Sequence, residues 1–310
     1  MSDPRLRFSI QMPNATDRRS WLDKVRRAED AGFYSISVPD HLGPSLPQLA
    51  PLPALAAAAA VTTSLRLATT VLDNDFRHPV MLAKEVATVD LLSEGRVDLG
   101  LGAGWLVEDY TSTGVATWDA PGVRVDRLFE SIDLLRQLLA GGPVSFEGRF
   151  YQVDAFESFP APVQHPVPLM LGGGGRRMLT YAARHAQIVS LIVRHHGDSD
   201  ARLAAFEEQL AWVEEAGGRE RDDLTVGIRI LFGAVGAPGE TRRAVAERVA
   251  GNGSRITADD VLASPFALVG DLPAVRDHLL GLHDRYGVSY FTVSEDLAWQ
   301  VAPLVRELAG

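Results

Sequence analysis

The feature that most constrains this chain is an alternation. Eight short runs rich in apolar and β-branched residues are each followed by a longer stretch of helical period. The runs lie near Phe8–Gln11, Tyr34–Val38, Arg66–Leu72, Val97–Leu101, Pro168–Leu171, Ile188–Ile192, Thr225–Phe232 and Tyr290–Val293. A strand that leads through a helix to the next strand returns to the same sheet by a crossover, so the pattern specifies parallel pairing under a layer of helices. Eight such units close a parallel sheet into a barrel, and 310 residues suit that architecture. The expected fold class is α/β, a (β/α)8 TIM barrel, as a single domain over residues 1–310.

The helical stretches carry apolar stripes at three- and four-residue spacing: Trp21, Val25 and Ala28; Leu82, Val86 and Val89; Leu128, Ile132, Leu135 and Leu139; Leu203, Phe206, Leu210 and Val213; Val275, Leu279, Leu282 and Tyr286. Gly32, Gly95, Gly217 and Gly287 fall just past stripes, where a residue without a Cβ can end a helix in the left-handed conformation. The Ala56–Ala60 run follows Pro51 and Pro53 and reads as a closely packed helix or a subunit interface. Gly102–Tyr151 and Gly233–Tyr290 break the rhythm. The first holds a turn-rich piece, a helix and a hairpin around Phe146–Tyr151, and the second two or three helices. Both read as insertions after strands 4 and 7, on the rim where barrel enzymes keep their chemistry.

Composition removes several functions. Forty acidic residues against thirty basic ones give a formal charge of −10, which repels phosphate backbones and anionic lipid, so neither nucleic acid nor membrane is an expected partner. The absence of cysteine excludes disulfides, thiolate nucleophiles and Cys-ligated zinc. The start MSDPRLRFSI has no apolar signal stretch, and no apolar run is long enough to span a bilayer, so a cytoplasmic location is expected.

The sharpest ligand signal is LMLGGGGRRM at 169–178: an apolar strand, then Gly172, Gly173, Gly174 and Gly175, then Arg176 and Arg177 opening a helical pattern. Bare backbone lets an anion approach, a helix start presents unpaired N–H groups, and arginine adds a charged fork, which together suit a phosphate. The alternative is a glycine-rich turn with solvated arginines. Neither a Walker loop nor a G-x-G-x-x-G fingerprint is present. Asp40 and His41 follow the second strand, and His41 is a candidate for proton transfer near neutral pH, with Asp40 orienting it unless their side chains diverge. Gly100, Gly102 and Gly104 end the fourth strand at alternate positions, leaving room for a flat ring or merely tight packing. Glu108 and Asp109 follow, Glu108 being the candidate catalytic carboxylate or a solvated one. Thr69, Thr70, Asp73 and Asn74 reach the same rim and can bond a heterocycle. His195 and His196 with Asp198 and Asp200 do not converge naturally on one ion, so no metal is expected. No G-x-S-x-G elbow or H-E-x-x-H helix supports hydrolysis.

Taken together, VPDHL at 38–42, FRHPVMLAKEVATVDLLSEGRVDLGLGAGW at 76–105, GVRVDRLFESIDLLRQLL at 122–139 and PLMLGGGGRRMLTYAARHA at 168–186 resemble the bacterial-luciferase-like family, and within it the actinobacterial subgroup using coenzyme F420. The resemblance implies a barrel whose loops cover a tricyclic flavin or deazaflavin, with the cofactor phosphate on Gly172–Gly175, Arg176 and Arg177. It implies a non-proline cis peptide at Thr70–Val71 against the ring, so that Thr69, Thr70, Val71, Gly102 and Gly104 are cofactor contacts. It implies a proton-transfer role for His41, supported by Asp40. The chain departs from its relatives at Gln187, where an aspartate is common. The implied activity is F420-dependent hydride transfer with a small organic substrate. The alternatives are an FMN-dependent monooxygenase fed by a partner reductase, a non-catalytic flavin- or deazaflavin-binding protein, and a phosphate-dependent isomerase or lyase. Arg176, Arg177 and Arg194 near the rim favour F420, whose oligoglutamyl tail is anionic. A homodimer is the assembly the family implies.

Overall fold

A computed structural model describes residues 6–192, 199–217, 223–251 and 256–309. In chain order the elements are β1 (Arg7–Gln11), α1 (Arg18–Asp30), β2 (Ser35–Val38), α2 (Pro51–Ala59), β3 (Arg66–Thr69), β4 (Leu72–Asp73), α3 (Pro79–Leu92), β5 (Val97–Gly102), α4 (Val107–Thr111) and α5 (Pro121–Ala140). They continue as β6 (Pro143–Glu147), β7 (Gln152–Glu157), β8 (Leu169–Gly173), α6 (Arg176–His185), β9 (Ile188–Leu191), α7 (Ser199–Glu215), β10 (Thr225–Arg229), β11 (Phe232–Val235), α8 (Arg242–Ala250), α9 (Ala258–Ala263), β12 (Ala267–Gly270), α10 (Leu272–Tyr286), β13 (Val288–Ser294) and α11 (Glu295–Leu308).

Each of the eight runs read from the sequence contains a strand: β1, β2, β3, β5, β8, β9, β10 and β13. The strand order is β3-β2-β1-β13-β10-β9-β8-β5-β4, with β3 also bonded to β5, which makes the fold a (β/α)8 barrel. By contact the chain divides into two compact units. One comprises Met1–Gln11, Ala28–Ser35 and Gly172–Gly310, and the other Met12–Arg27 and Ile36–Leu171.

In the first unit β13 lies between β1 and β10, and β10 between β13 and β9, all parallel. Phe8 of β1 is in register with Phe291 of β13, and the two buried rings stack 5.7 Å apart. Burial on both faces is what unbroken apolar runs such as YFTV require. The seventh run is shorter than the sequence suggests. β10 stops at Arg229, and β11 pairs in parallel with β12, a strand inside the stretch whose pattern predicts two or three helices. Together with Val245, Ala246 and Val261 from the helices of that insertion, this pair forms a small core of its own. Asp271 caps α10 by accepting the Ala274 N–H at 3.1 Å, and the helix ends at Gly287 with φ 69°.

In the second unit β5 is parallel to β3, β4 and β8. The third run breaks at Thr69, and the chain resumes as β4 after a cis Thr70–Val71 peptide, the bond that the family resemblance implied. Ala56–Ala59 lie inside α2, opened by Pro51, with Ala58 fully buried. The stretch after β5 holds α4, α5 and an antiparallel β6–β7 hairpin longer than expected. Its turn is fixed by Glu130 of α5, whose carboxylate accepts the N–H groups of Arg149, Phe150 and Tyr151 at 2.7 to 3.0 Å. Gly95 ends α3 with φ 81°. Among the described residues no helix is long and apolar enough to cross a membrane.

Candidate active site

In the second unit the loop after β2 and the short helix α4 bring His41 and Asp109 together. His41 Nδ1 lies 2.7 Å from Asp109 Oδ2, while Asp109 Oδ1 accepts the N–H groups of Leu42 at 2.8 Å and Gly43 at 2.7 Å. Burial pushes the Asp109 carboxyl up, but the bonds from His41, Gly43 and Leu42 outweigh it and hold the group below the usual carboxylate range. An ionised Asp109 takes the Nδ1 proton as acceptor, which leaves the lone pair of a neutral imidazole on Nε2. The edge of Trp105, itself 67% exposed, stands 5.4 Å from the His41 ring at 87°.

The carboxylate bonded to His41 is therefore Asp109, and not Asp40 as the sequence suggested. Asp40 and His41 lie just past the end of β2, and their side chains go to different partners. Asp40 is buried against Arg77, whose two terminal nitrogens reach it at 2.5 and 3.2 Å, and it also accepts the Asp73 N–H at 3.2 Å. Glu108 turns away from Asp109, accepts the Ser45 hydroxyl and packs over Gly43. Asp109, Arg77 and Tyr110 were not selected from sequence, although Asp109 is next to Glu108. One helical residue step of about 100° decides which of the two carboxylates faces the histidine, and no pattern in a five-residue helix fixes that phase.

The residues around the cis peptide are also committed to the protein. The Thr69 hydroxyl, in a side chain only 1% exposed, accepts the Gly100 N–H at 2.8 Å and donates to the Gly100 carbonyl at 2.9 Å, so it has no donor left for a heterocycle. The Thr70 N–H donates to the Val38 carbonyl at 3.2 Å. Gly100, Gly102 and Gly104 do not open a slot in front of their Cα atoms. A side chain on Gly100 would strike the Thr69 carbonyl, one on Gly102 the Val71 side chain at 2.7 Å, and one on Gly104 the Tyr110 hydroxyl. These glycines allow close approach. Asn74, 1% exposed, donates to the Tyr151 hydroxyl at 3.2 Å, yet its Oδ1 is buried without a partner.

In the first unit β8 ends in Gly172 and Gly173, and α6 begins at Arg176 with Gly175 as an N-cap that supplies no side-chain hydrogen bond. A side chain on Gly174 would come 2.5 Å from the Ile192 carbonyl, whereas the space beside Gly175 is open. Gln209 of α7, which the sequence did not single out, bonds the Ile192 and Gly174 carbonyls at 2.9 and 3.3 Å, and its own Oε1 is buried without a partner. Arg176 is exposed and bonded to Glu215 at 2.9 Å, so its fork is already engaged. Arg177 follows in the same first helical turn. Arg194, His195, His196 and Asp198 lie outside the described residues. Among the described residues no cluster of three or more His, Cys, Asp or Glu could hold a metal.

Comparison with known proteins identifies the class. The model of the luciferase-like monooxygenase family matches residues 7–264, so the chain belongs to that family. It is 32% identical over 218 residues to the F420-dependent hydroxymycolic acid dehydrogenase of Mycobacterium tuberculosis, covering 68% of this chain and 58% of that one. It is 36% identical over 171 residues to the F420-dependent glucose-6-phosphate dehydrogenase of Amycolatopsis mediterranei, covering 54% and 51%. The chain thus spans little more than half the length of these curated relatives. Among solved structures it is similar to the coenzyme F420-dependent tetrahydromethanopterin reductase of Methanopyrus kandleri, with TM-score 0.73, 20% identity and coverage of 99% and 100%, a likeness of fold.

Proposed function

We propose that this protein is an F420-dependent oxidoreductase that moves a hydride between the deazaflavin and the hydroxyl-bearing or carbonyl carbon of a small organic substrate. The observation that carries the reading is the His41–Asp109 pair at 2.7 Å, an imidazole held through Nδ1 whose Nε2 is bonded to none of the described residues. It is supported by relatives named as F420-dependent dehydrogenases.

The residues present fit such a cofactor. In the first unit, the uncapped start of α6 at Gly174 and Gly175, with open space beside Gly175, is where a phosphate would be held, with Arg176, here bonded to Glu215, and Arg177 in the same first helical turn. In the second unit, the buried Asn74 Oδ1 lacks a donor of the kind a ring N–H provides, and the cis Thr70–Val71 backbone is the surface proposed to face the ring. When bound, F420 supplies the ring carbon that accepts or returns a hydride. His41 Nε2 would take the proton of the substrate hydroxyl in the oxidising direction and return it in the other. Asp109 keeps the Nδ1 proton in place and stabilises the imidazolium formed in that step. Glu108 and Asp40 then have supporting roles through Ser45 and Arg77.

The test is titration of the purified protein with F420 and with FMN, followed by cofactor fluorescence, and then turnover of 2-propanol and glucose 6-phosphate with F420. Tight F420 binding with loss of F420 absorbance on turnover is expected. Selective FMN binding overturns the reading in favour of a monooxygenase that needs a reductase partner, and binding of either without turnover of any alcohol or carbonyl favours a carrier.

A further inference from the structure

Helix α4 carries two successive side chains with different anchors. Asp109 faces His41, while Tyr110 is buried at 2% exposure between Phe76 at 5.5 Å and Trp118 at 4.8 Å. The Tyr110 hydroxyl lies 2.8 Å from both carboxylate oxygens of Asp73 and 3.3 Å from Asp75 Oδ2. A helix of five residues closes too few backbone bonds to be stable alone, and its N-cap, Leu106, supplies no side-chain bond. The position of α4 therefore comes from what its side chains hold.

Four carboxylates are buried around it. Asp40 is bonded to Arg77, Asp75 is paired with Arg127 at 3.1 Å, and Asp109 is bonded to His41. Asp73 differs from the others. Its oxygens are met by the Tyr110 hydroxyl and the Asp75 N–H, and among the described residues no cation is bonded to it. Burial pushes its carboxyl up to about 6, against the lowering effect of those two bonds. A buried carboxylate without a cation costs stability, so what it provides here is position. Gly104, at φ 73°, keeps the place clear, since a side chain there would run into both the Tyr110 hydroxyl and Asp73. Arg124 stacks on Trp118 at 3.6 Å while its Nε donates to the Ala103 carbonyl at 3.0 Å, which ties the strand end to the same ring cluster.

We propose that Asp73 and Tyr110 form a clasp that fixes Asp109 against His41, which makes both of them positioning residues. The kinetic consequence rests on the role given to His41 above, but the structural one does not. Removal of the Tyr110 hydroxyl frees α4 to shift, and Asp109 then loses the His41 and amide bonds that hold its carboxyl low.

The experiment compares Tyr110→Phe, Asp73→Ala and Asp73→Asn with the wild-type protein by NMR, without cofactor, following the Asp109 carboxyl titration and the downfield Nδ1 proton of His41. In Tyr110→Phe and Asp73→Ala the Asp109 midpoint should rise by about one pH unit or more and the His41 proton signal should be lost. Asp73→Asn keeps an oxygen for Tyr110 and should restore both signals. Wild-type titration in Tyr110→Phe overturns the clasp. If that variant does not fold, identical behaviour of Asp73→Ala and Asp73→Asn overturns it instead. With F420 and 2-propanol, Tyr110→Phe should lower kcat about tenfold or more while KM changes less than about threefold. If the NMR changes appear but His41→Ala leaves turnover intact, the clasp stands and the function proposed for His41 fails.

Discussion

At the scale of single residues, the site depends on which of several neighbouring polar groups meet. Asp40, Glu108 and Asp109 are all carboxylates near His41 in sequence or across the loop, yet only Asp109 comes within 2.7 Å of the ring. Asp40 is taken by Arg77 and Glu108 by Ser45. Sequence could put His41 forward, because an imidazole after a barrel strand can exchange a proton near neutral pH, but the choice among the carboxylates needed side-chain direction. His41→Ala should lower kcat by about 100-fold or more, the usual worth of a positioned acid–base group, and leave F420 affinity within about threefold of wild type. Single-turnover kinetics and fluorescence titration measure the two. Unchanged turnover, or a matching loss of F420 binding, rules out the role given to the imidazole.

At the scale of elements, helix ends and strand starts are held by a few polar side chains that no hydrophobic pattern reports. Arg96 is the clearest case. Its guanidinium donates to the Ser93 carbonyl at 2.6 Å, the Leu65 carbonyl at 2.8 Å, the Thr62 hydroxyl at 2.9 Å, the Thr62 carbonyl at 3.0 Å and the Ala59 carbonyl at 3.1 Å. Ala59 ends α2 and Leu65 precedes β3, so one side chain satisfies buried carbonyls at the junction of two elements. Arg96→Ala should cost roughly 2–4 kcal/mol, because it leaves several buried acceptors without donors. Urea unfolding checks this as a lowered midpoint at unchanged slope, and a midpoint within error of wild type would show that water replaces the guanidinium. The helix stripes and terminal glycines were legible because helical period and left-handed backbone are local properties. β12 was not, since ALVG is too short to carry a period of its own and becomes a strand only beside β11.

At the scale of the whole molecule, two buried groups set opposing responses to acid. Asp73 binds its proton more tightly folded, at about 6 against an ordinary 3.8, so its contribution to stability is complete below 3.8 and lost as pH rises through 6. His278 is pushed down to about 4 from an ordinary 6.5, first by burial and then by Arg242, so its contribution is complete above 6.5 and lost as pH falls through 4. Each shift corresponds to about 3 kcal/mol. Between pH 4 and 6 the two nearly cancel. Asp73→Asn removes the first branch, so the variant should gain on wild type at pH 7.5 and lose that advantage progressively down to pH 4.5. Urea unfolding at four pH values across this range provides the check, and parallel curves for the two proteins would show that Asp73 titrates normally.

The sequence by itself determined the alternation of strand and helix, and with it parallel pairing and a barrel, because that information lies in local period and in turn residues. It also marked the glycine turn at 172–175 and the family, which rest on contiguous motifs. Only the tertiary structure decided that Asp109 rather than Asp40 holds His41, that Thr69 is spent on Gly100, and that Gly104 makes room for Tyr110 and Asp73. The physical reason is that a hydrogen bond of 2.7 Å depends on the direction of two side chains brought together over 68 residues of sequence, and direction is fixed by packing rather than by order along the chain.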